Sequence, residues 1–201
     1  NLYTSMLEKI LKKIAPKALV DALIFLYQKG KFEDVLSRSS LLVQQYPDTP
    51  VLHNILGEIS FEKGNTDQAI QHFRKVINLK PCHPHGYNSL GVVLSNMQIY
   101  DEAKFNFKKA IELDQKDFAP KINLANTYMY LNDFQNAEKI FSKLLSEKPN
   151  EFLLIANYAN FKKKIKQFKD AVKLYEDAVK KSNSQLFIMN DLARIYLNIG
   201  D

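Results

Sequence analysis

The stretch "LGEISFEKGNTDQAIQHFRKVINLKP" (Leu56 to Pro81) spaces its apolar residues three and four apart on either side of a turn-forming "KGNT". That spacing predicts two helices, each with one buried face, joined by a tight turn. The stretch "LGVVLSNMQIYDEAKFNFKKAIELDQ" (Leu90 to Gln115) repeats the arrangement, with Gly91, Ala103 and Phe107 each 34 residues beyond Gly57, Ala69 and Phe73. Rows of 34 residues begin at Pro16, Pro50, Pro84, Phe118, Phe152 and Leu186 with no insertion anywhere. A fixed period of this length marks an array of like units.

The recurring positions have physical causes. Position 8 of the repeat holds Leu23, Gly57, Gly91, Ala125, Ala159 and Ala193, and position 20 holds Val35, Ala69, Ala103, Ala137 and Ala171. Small residues there let two antiparallel helices approach closely. Position 24, with Ser39, Phe73, Phe107, Phe141 and Tyr175, supplies an aromatic expected to fill the space between successive units. Proline at position 32 (Pro47, Pro81, Pro149) cannot continue a helix and ends the second one. Gly30, Gly64 and Gly200 fit the turn inside each hairpin. Repeat one, with Leu23 and Ser39, is degenerate in the manner of a terminal unit.

The pattern resembles the tetratricopeptide repeat over residues 16–201. The resemblance implies an all-α solenoid, a right-handed superhelix of antiparallel helix pairs with a concave face built by the first helices. Ahead of it, residues 1–15 read as an amphipathic capping helix. Ser5 and Glu8 form its capping box, and Leu7, Ile10, Leu11 and Ile14 form its apolar stripe. At the other end Leu186 to Ile199 is expected to cover repeat five. Lys162, at the usually apolar position 11, predicts looser packing there.

If positions 4, 7, 8 and 11 pack, positions 2, 5, 6, 9, 12 and 13 project into the groove, and these are rich in asparagine. Asn54, Asn88 and Asn190 stand at position 5, Asn123 and Asn157 at position 6, and Asn126, Asn160 and Arg194 at position 9. An asparagine carries two donors and an acceptor, which match the amides and carbonyls of an extended peptide. "NLANTY" and "NYANF" look like the asparagine ladder of O-linked N-acetylglucosamine transferases, which implies peptide-backbone binding at Asn123 and Asn157. A chaperone-type carboxylate clamp, with lysine at position 5 and asparagine at position 9 of its opening repeat, is absent, since repeat one has Val20 and Ile24 and repeat five has Ala156 with Asn160. "GKFEDVLSRSSLLVQQYPDTPVLHNILGEI" is similar to modules that precede bacterial sulfotransferase or glycosyltransferase domains.

Composition narrows the partners. The net charge of +6 is concentrated in residues 152–185, where eight lysines face three acids, so it describes one solvated face and no extended basic stripe. Nucleic acid is not expected as a partner, and no apolar run is long enough for stable membrane insertion. The single cysteine, Cys82, allows no internal disulfide and favours a reducing, cytoplasmic setting. "PCHPHG" brings Cys82, His83 and His85 together without the paired spacing of a zinc site, so no metal is expected. No phosphate loop, nucleophile elbow or zinc-protease helix occurs, and neither a cofactor nor a catalytic residue is expected in these repeats.

The sequence does not begin with methionine, and Asp201 falls where a further hairpin is under way, so a fragment of a longer polypeptide is expected. The leading expectation is a scaffold holding an extended peptide or a helix of a partner protein. Its alternative is the substrate-recruiting arm of a larger transferase whose catalytic domain lies beyond residue 201. Self-association through the open ends is a further expectation.

Overall fold

The computed structural model describes residues 13–182 and 186–199. The expected capping helix, through residue 12, lies outside the described residues, as do Asn183 and Gly200. Among the described residues there are eleven helices and no strand: α1 (Lys17–Gln28), α2 (Phe32–Gln45), α3 (Pro50–Glu62), α4 (Thr66–Leu79), α5 (Pro84–Asn96), α6 (Tyr100–Leu113), α7 (Ala119–Tyr130), α8 (Phe134–Glu147), α9 (Phe152–Lys164), α10 (Phe168–Lys181) and α11 (Leu186–Ile199). The even-numbered helices begin at Phe32, Thr66, Tyr100, Phe134 and Phe168 and keep the 34-residue register without slippage. Pro50 and Pro84 open their helices, where a missing N–H costs nothing.

Each hairpin closes through the same backbone turn. The second residue past the first helix has positive φ in all five cases: Gly30 (70°), Gly64 (79°), Gln98 (63°), Asn132 (60°) and Lys166 (62°). The N–H that follows each one reaches back to the helix, from Lys31 to Leu26 O, Asn65 to Ser60 O, Ile99 to Leu94 O, Asp133 to Tyr128 O and Gln167 to Lys162 O. These are Schellman closures, which satisfy the last carbonyls of the helix. Only the first two turns use glycine, so the glycine pattern reveals two of the five.

The chain forms two compact units, residues 1–102 and 103–201. In the first, Leu23 of α1, Val35 of α2 and Leu52, Ile55 and Ile59 of α3 share one core. The backbone before α1 is pinned to this unit by Ala15 N–H donating to Thr49 Oγ1 at 2.7 Å. In the second unit, Phe141 and Leu144 of α8 pack with Ala125 and Met129 of α7 and Leu154 and Phe161 of α9. Tyr175 and Ala178 of α10 pack with Ile155 and Ala159 of α9 and with Ile188 and Ile195 of α11, so α11 covers repeat five as expected. No helix among the described residues is long and apolar enough to cross a membrane.

Position 20 is fully buried in the five repeats that reach it. The aromatic of position 24 reaches the next unit as expected, Phe141 lying 5.6 and 5.7 Å from the Tyr158 and Phe161 rings of repeat five, and it also rests on the small residue of its own hairpin, as Phe73 does on Gly57. A Cβ added at Gly57 would lie 2.8 Å from the Phe73 ring. Repeat one exchanges the two sizes, with the large Leu23 at position 8 and the small Ser39 at position 24, both buried. The Ser39 hydroxyl has no hydrogen-bond partner among the described residues.

Lys162 does not loosen repeat five. Its ammonium lies 2.9 and 3.1 Å from the two carboxylate oxygens of Glu138 on α8, and its side chain is only 13% exposed. It also lies 5.0 Å above the Tyr158 ring, whose hydroxyl donates to Glu138. Burial alone would lower the Lys162 pKa, but the hydrogen bonds with Glu138 and Tyr158 outweigh it and hold the pKa above the ordinary lysine value. A charged group at an apolar position is thus accommodated by a partner on the preceding repeat.

A second polar contact inside the apolar framework joins His53 of α3 to His72 of α4, Nδ1 to Nδ1 at 3.2 Å. His53 Nε2–H donates to Pro47 O at 2.7 Å, which leaves neutral His53 Nδ1 as the acceptor from His72. Burial holds His53 below the ordinary 6.5 against the opposing hydrogen bond to the Pro47 carbonyl, with Lys75 lowering it and Asp48 raising it to a lesser extent, and burial followed by the charge of His53 holds His72 below 6.5 as well.

Three outcomes are expected. Gly57→Ala lowers stability by about 1–2 kcal/mol in urea unfolding, because displacement of Phe73 exceeds the gain in helix propensity. Glu138→Gln costs about 1–3 kcal/mol by stranding Lys162, and adding Lys162→Met recovers most of the loss. Because the folded state binds fewer protons at His53 and His72 than the unfolded chain does, stability is full above about pH 6.5 and falls as pH drops below it. Urea midpoints between about pH 7.5 and pH 5.5 will show that slope, and His72→Gln, which keeps a donor for His53, will make it shallower.

Candidate functional site

The second unit gathers part of the asparagine set into one cleft. Asn126, Met129 and Tyr130 of α7 and Asn157, Asn160, Lys163 and Lys164 of α9 line a space of about 290 Å³. The first helices of repeats four and five supply all of these side chains from positions 6, 9, 12 and 13, and regular helices hold such positions more firmly than loops do.

The amides in the cleft are oriented by the protein. Asn126 Nδ2 donates to Asn157 Oδ1 at 2.9 Å, and Asn157 Nδ2 donates to Leu153 O at 2.8 Å. The Tyr175 hydroxyl donates to Asn160 Oδ1 at 2.6 Å. Burial, followed by the charge of Asp191, pushes the Tyr175 pKa well above its ordinary value, so the phenol remains a donor. That fixes the Asn160 amide with its oxygen engaged, and its Nδ2 has no hydrogen-bond partner among the described residues. Lys163 lies 5.8 Å from the Tyr175 ring centroid, and Lys164 is exposed.

The remaining candidates lie elsewhere. Asn123, half-buried on α7, does not line this cleft, although its carbonyl accepts from Thr127 Oγ1 at 2.8 Å. Asn190 and Arg194 are exposed on α11, also outside it. The asparagine pair that forms links position 9 of one repeat to position 6 of the next, where the ladder resemblance implied position 6 throughout. Tyr130, Lys163 and Lys164 were absent from the expected set, although positions 12 and 13 were among those expected to face the groove.

Asn54 and Asn88 belong to the first unit, each beside a different cleft. Asn54 donates to Glu58 Oε1 at 2.9 Å and lines a small space of about 110 Å³ with Lys80, His83 and His85. Asn88 lines a larger one, about 310 Å³, with Tyr27, Glu58, Phe61, Glu62 and Ser89. Burial would raise the Glu58 pKa, but hydrogen bonds from His85, Asn54 and Tyr27 outweigh it and hold the carboxyl below its ordinary value. Burial and the charges of Glu58 and Glu62 push Tyr27 up to about 12. Of the cysteine and histidine cluster, Cys82 is exposed and His85 Nε2 lies 3.2 Å from Glu58. Among the described residues no group of three or more potential metal ligands converges.

No curated protein matches the sequence. Residues 51–82 and 99–165 match sequence profiles described as tetratricopeptide repeat. A thermophilic TPR protein from Thermus thermophilus superposes with a TM-score of 0.78 at 16% identity, covering 91% of this chain and 100% of that one. PilW, a widely conserved type IV pilus biogenesis factor, also gives 0.78 at 16% identity, with 92% and 88% covered. YrrB, a TPR protein with an unusual peptide-binding site, gives 0.64 at 13% identity, with 95% and 97% covered. Identities this low carry the fold alone. The unbroken register of helix hairpins, the matched stretches and these superpositions establish the chain as a carrier of tetratricopeptide repeats with the fold of a TPR α-solenoid.

Proposed function

We propose that this chain is a protein–protein interaction scaffold, and that the cleft of the second unit holds an extended segment of its partner. The observation that carries this reading is the convergence of Asn126, Asn157 and Asn160 in one cleft with their amides already oriented. Each engaged amide still has hydrogen-bonding capacity left over, which suits the alternating donors and acceptors of a peptide backbone. Little ordering is then required on the protein side when a segment docks. The fold supports the same reading, since stacked helical repeats present extended surfaces to other chains.

A random ten-residue peptide library selected against the full chain, followed by fluorescence anisotropy on the enriched sequences, tests the assignment. The combined change Asn126→Ala, Asn157→Ala and Asn160→Ala is expected to weaken binding at least about tenfold with helix content intact, by loss of several hydrogen bonds. Asn123→Ala, outside the cleft, should leave affinity within about twofold. Equal binding by the triple variant would remove the cleft from consideration.

A further inference from the structure

The two larger clefts use the same positions of the repeat and carry opposite charge. In repeat two, positions 9, 12 and 13 are Glu58, Phe61 and Glu62, and all three line the first unit's cleft. Three repeats later the same positions are Asn160, Lys163 and Lys164, and all three line the second unit's cleft. Glu58 is held ionised by its three hydrogen-bond donors, and Glu62 is exposed beside it. Among the described residues no carboxylate lines the second cleft.

Three carboxylates on the neighbouring helices are committed elsewhere. Glu138 is engaged by Lys162 and Tyr158, Asp177 is paired with Lys181 at 2.6 Å, and Glu176 accepts from the Tyr196 hydroxyl at 2.7 Å. Asp191 of α11 is near enough to act on Tyr175 but is not among the residues lining the cleft, so Lys163 and Lys164 bring two ammonium groups to a lining that holds no carboxylate among the described residues. The amides add to the donor excess, since Asn160 has its oxygen engaged and its nitrogen without a partner. A cleft with this many donors and no anion of its own is complementary to a ligand that supplies carboxylates along with peptide carbonyls.

Resting on the scaffold reading above, we propose that the second unit's cleft selects an acidic stretch of a partner protein. Aspartate or glutamate side chains of that stretch meet Lys163 and Lys164 while the asparagine amides take its backbone. The first unit's cleft repels the same stretch through Glu58 and Glu62. The chain thus distinguishes between its own register-equivalent clefts by charge at positions 9, 12 and 13.

Three fluorescein-labelled ten-residue probes, acetylated and amidated so that no terminal charge contributes, test this on the full chain: alternating Ala-Asp, alternating Ala-Lys and alternating Ala-Ser. The Ala-Asp probe is expected to bind about tenfold tighter than Ala-Ser, the size of two modest ion pairs, and to weaken as salt rises from about 50 to about 200 mM. Lys163→Gln with Lys164→Gln should bring Ala-Asp to within about twofold of Ala-Ser, and Lys163→Glu with Lys164→Glu should move the preference to Ala-Lys. Equal binding of Ala-Asp and Ala-Ser by the unaltered chain, or an Ala-Asp preference that survives removal of both lysine charges, overturns the proposal. In either case, Ala-Ser binding that is lost in the triple asparagine variant leaves the scaffold reading standing. Failure of every probe to bind counts against both.

Discussion

Among the described residues no helix exceeds fourteen residues, a length that is marginal for an isolated helix in water. Stability must come from close contact between helices, and the crossing inside each hairpin sets how close that contact is. At position 20 the residue is fully buried in all five described hairpins, and at Gly57 the partner ring lies so near that even a methyl group would collide. Once the crossing distance is fixed, the larger side chains at positions 24 and 27 reach their cores, as Phe141 and Leu144 do in the second unit. The faces left over on the first helices of adjacent repeats then become the walls of a cleft.

Much of this fold was legible because side-chain size at a fixed period reports helix crossing directly. The start of every hairpin and the burial of positions 20 and 24 follow from the residues themselves. The features that were hidden share one cause, which is that a second group compensates for the departure. Leu23 and Ser39 look degenerate singly, yet large and small have merely changed places. Lys162 looks disruptive until Glu138, on the preceding repeat, is seen to neutralise it. Gln98, Asn132 and Lys166 adopt the left-handed turn because backbone hydrogen bonds and neighbouring helices impose it, so no glycine announces it.

The candidate site was legible in part, for a related reason. Periodicity identifies which positions of one helix face outward, and that sufficed to single out Asn126, Asn157 and Asn160. It does not say which positions of neighbouring repeats share a cleft, because the stagger between repeats decides that. Asparagines at position 6 therefore looked like partners, whereas the observed pair joins position 9 to position 6. Lys163 and Lys164 were read as part of a solvated lysine run, and only the cleft's lining shows that they border it beside the asparagines. The similarity to transferase-associated modules rests on short strings of sequence, and nothing in the helix packing bears on it.

The five hairpin closures are made by backbone atoms alone. The outward positions of the first helices take part neither in these closures nor in the buried crossing, so the architecture is largely indifferent to what they display. Glutamate in one copy and lysine in another can occupy equivalent sites without disturbing the scaffold. A chain assembled in this way can be re-specified for a new ligand by exchanging a handful of display residues, one module at a time.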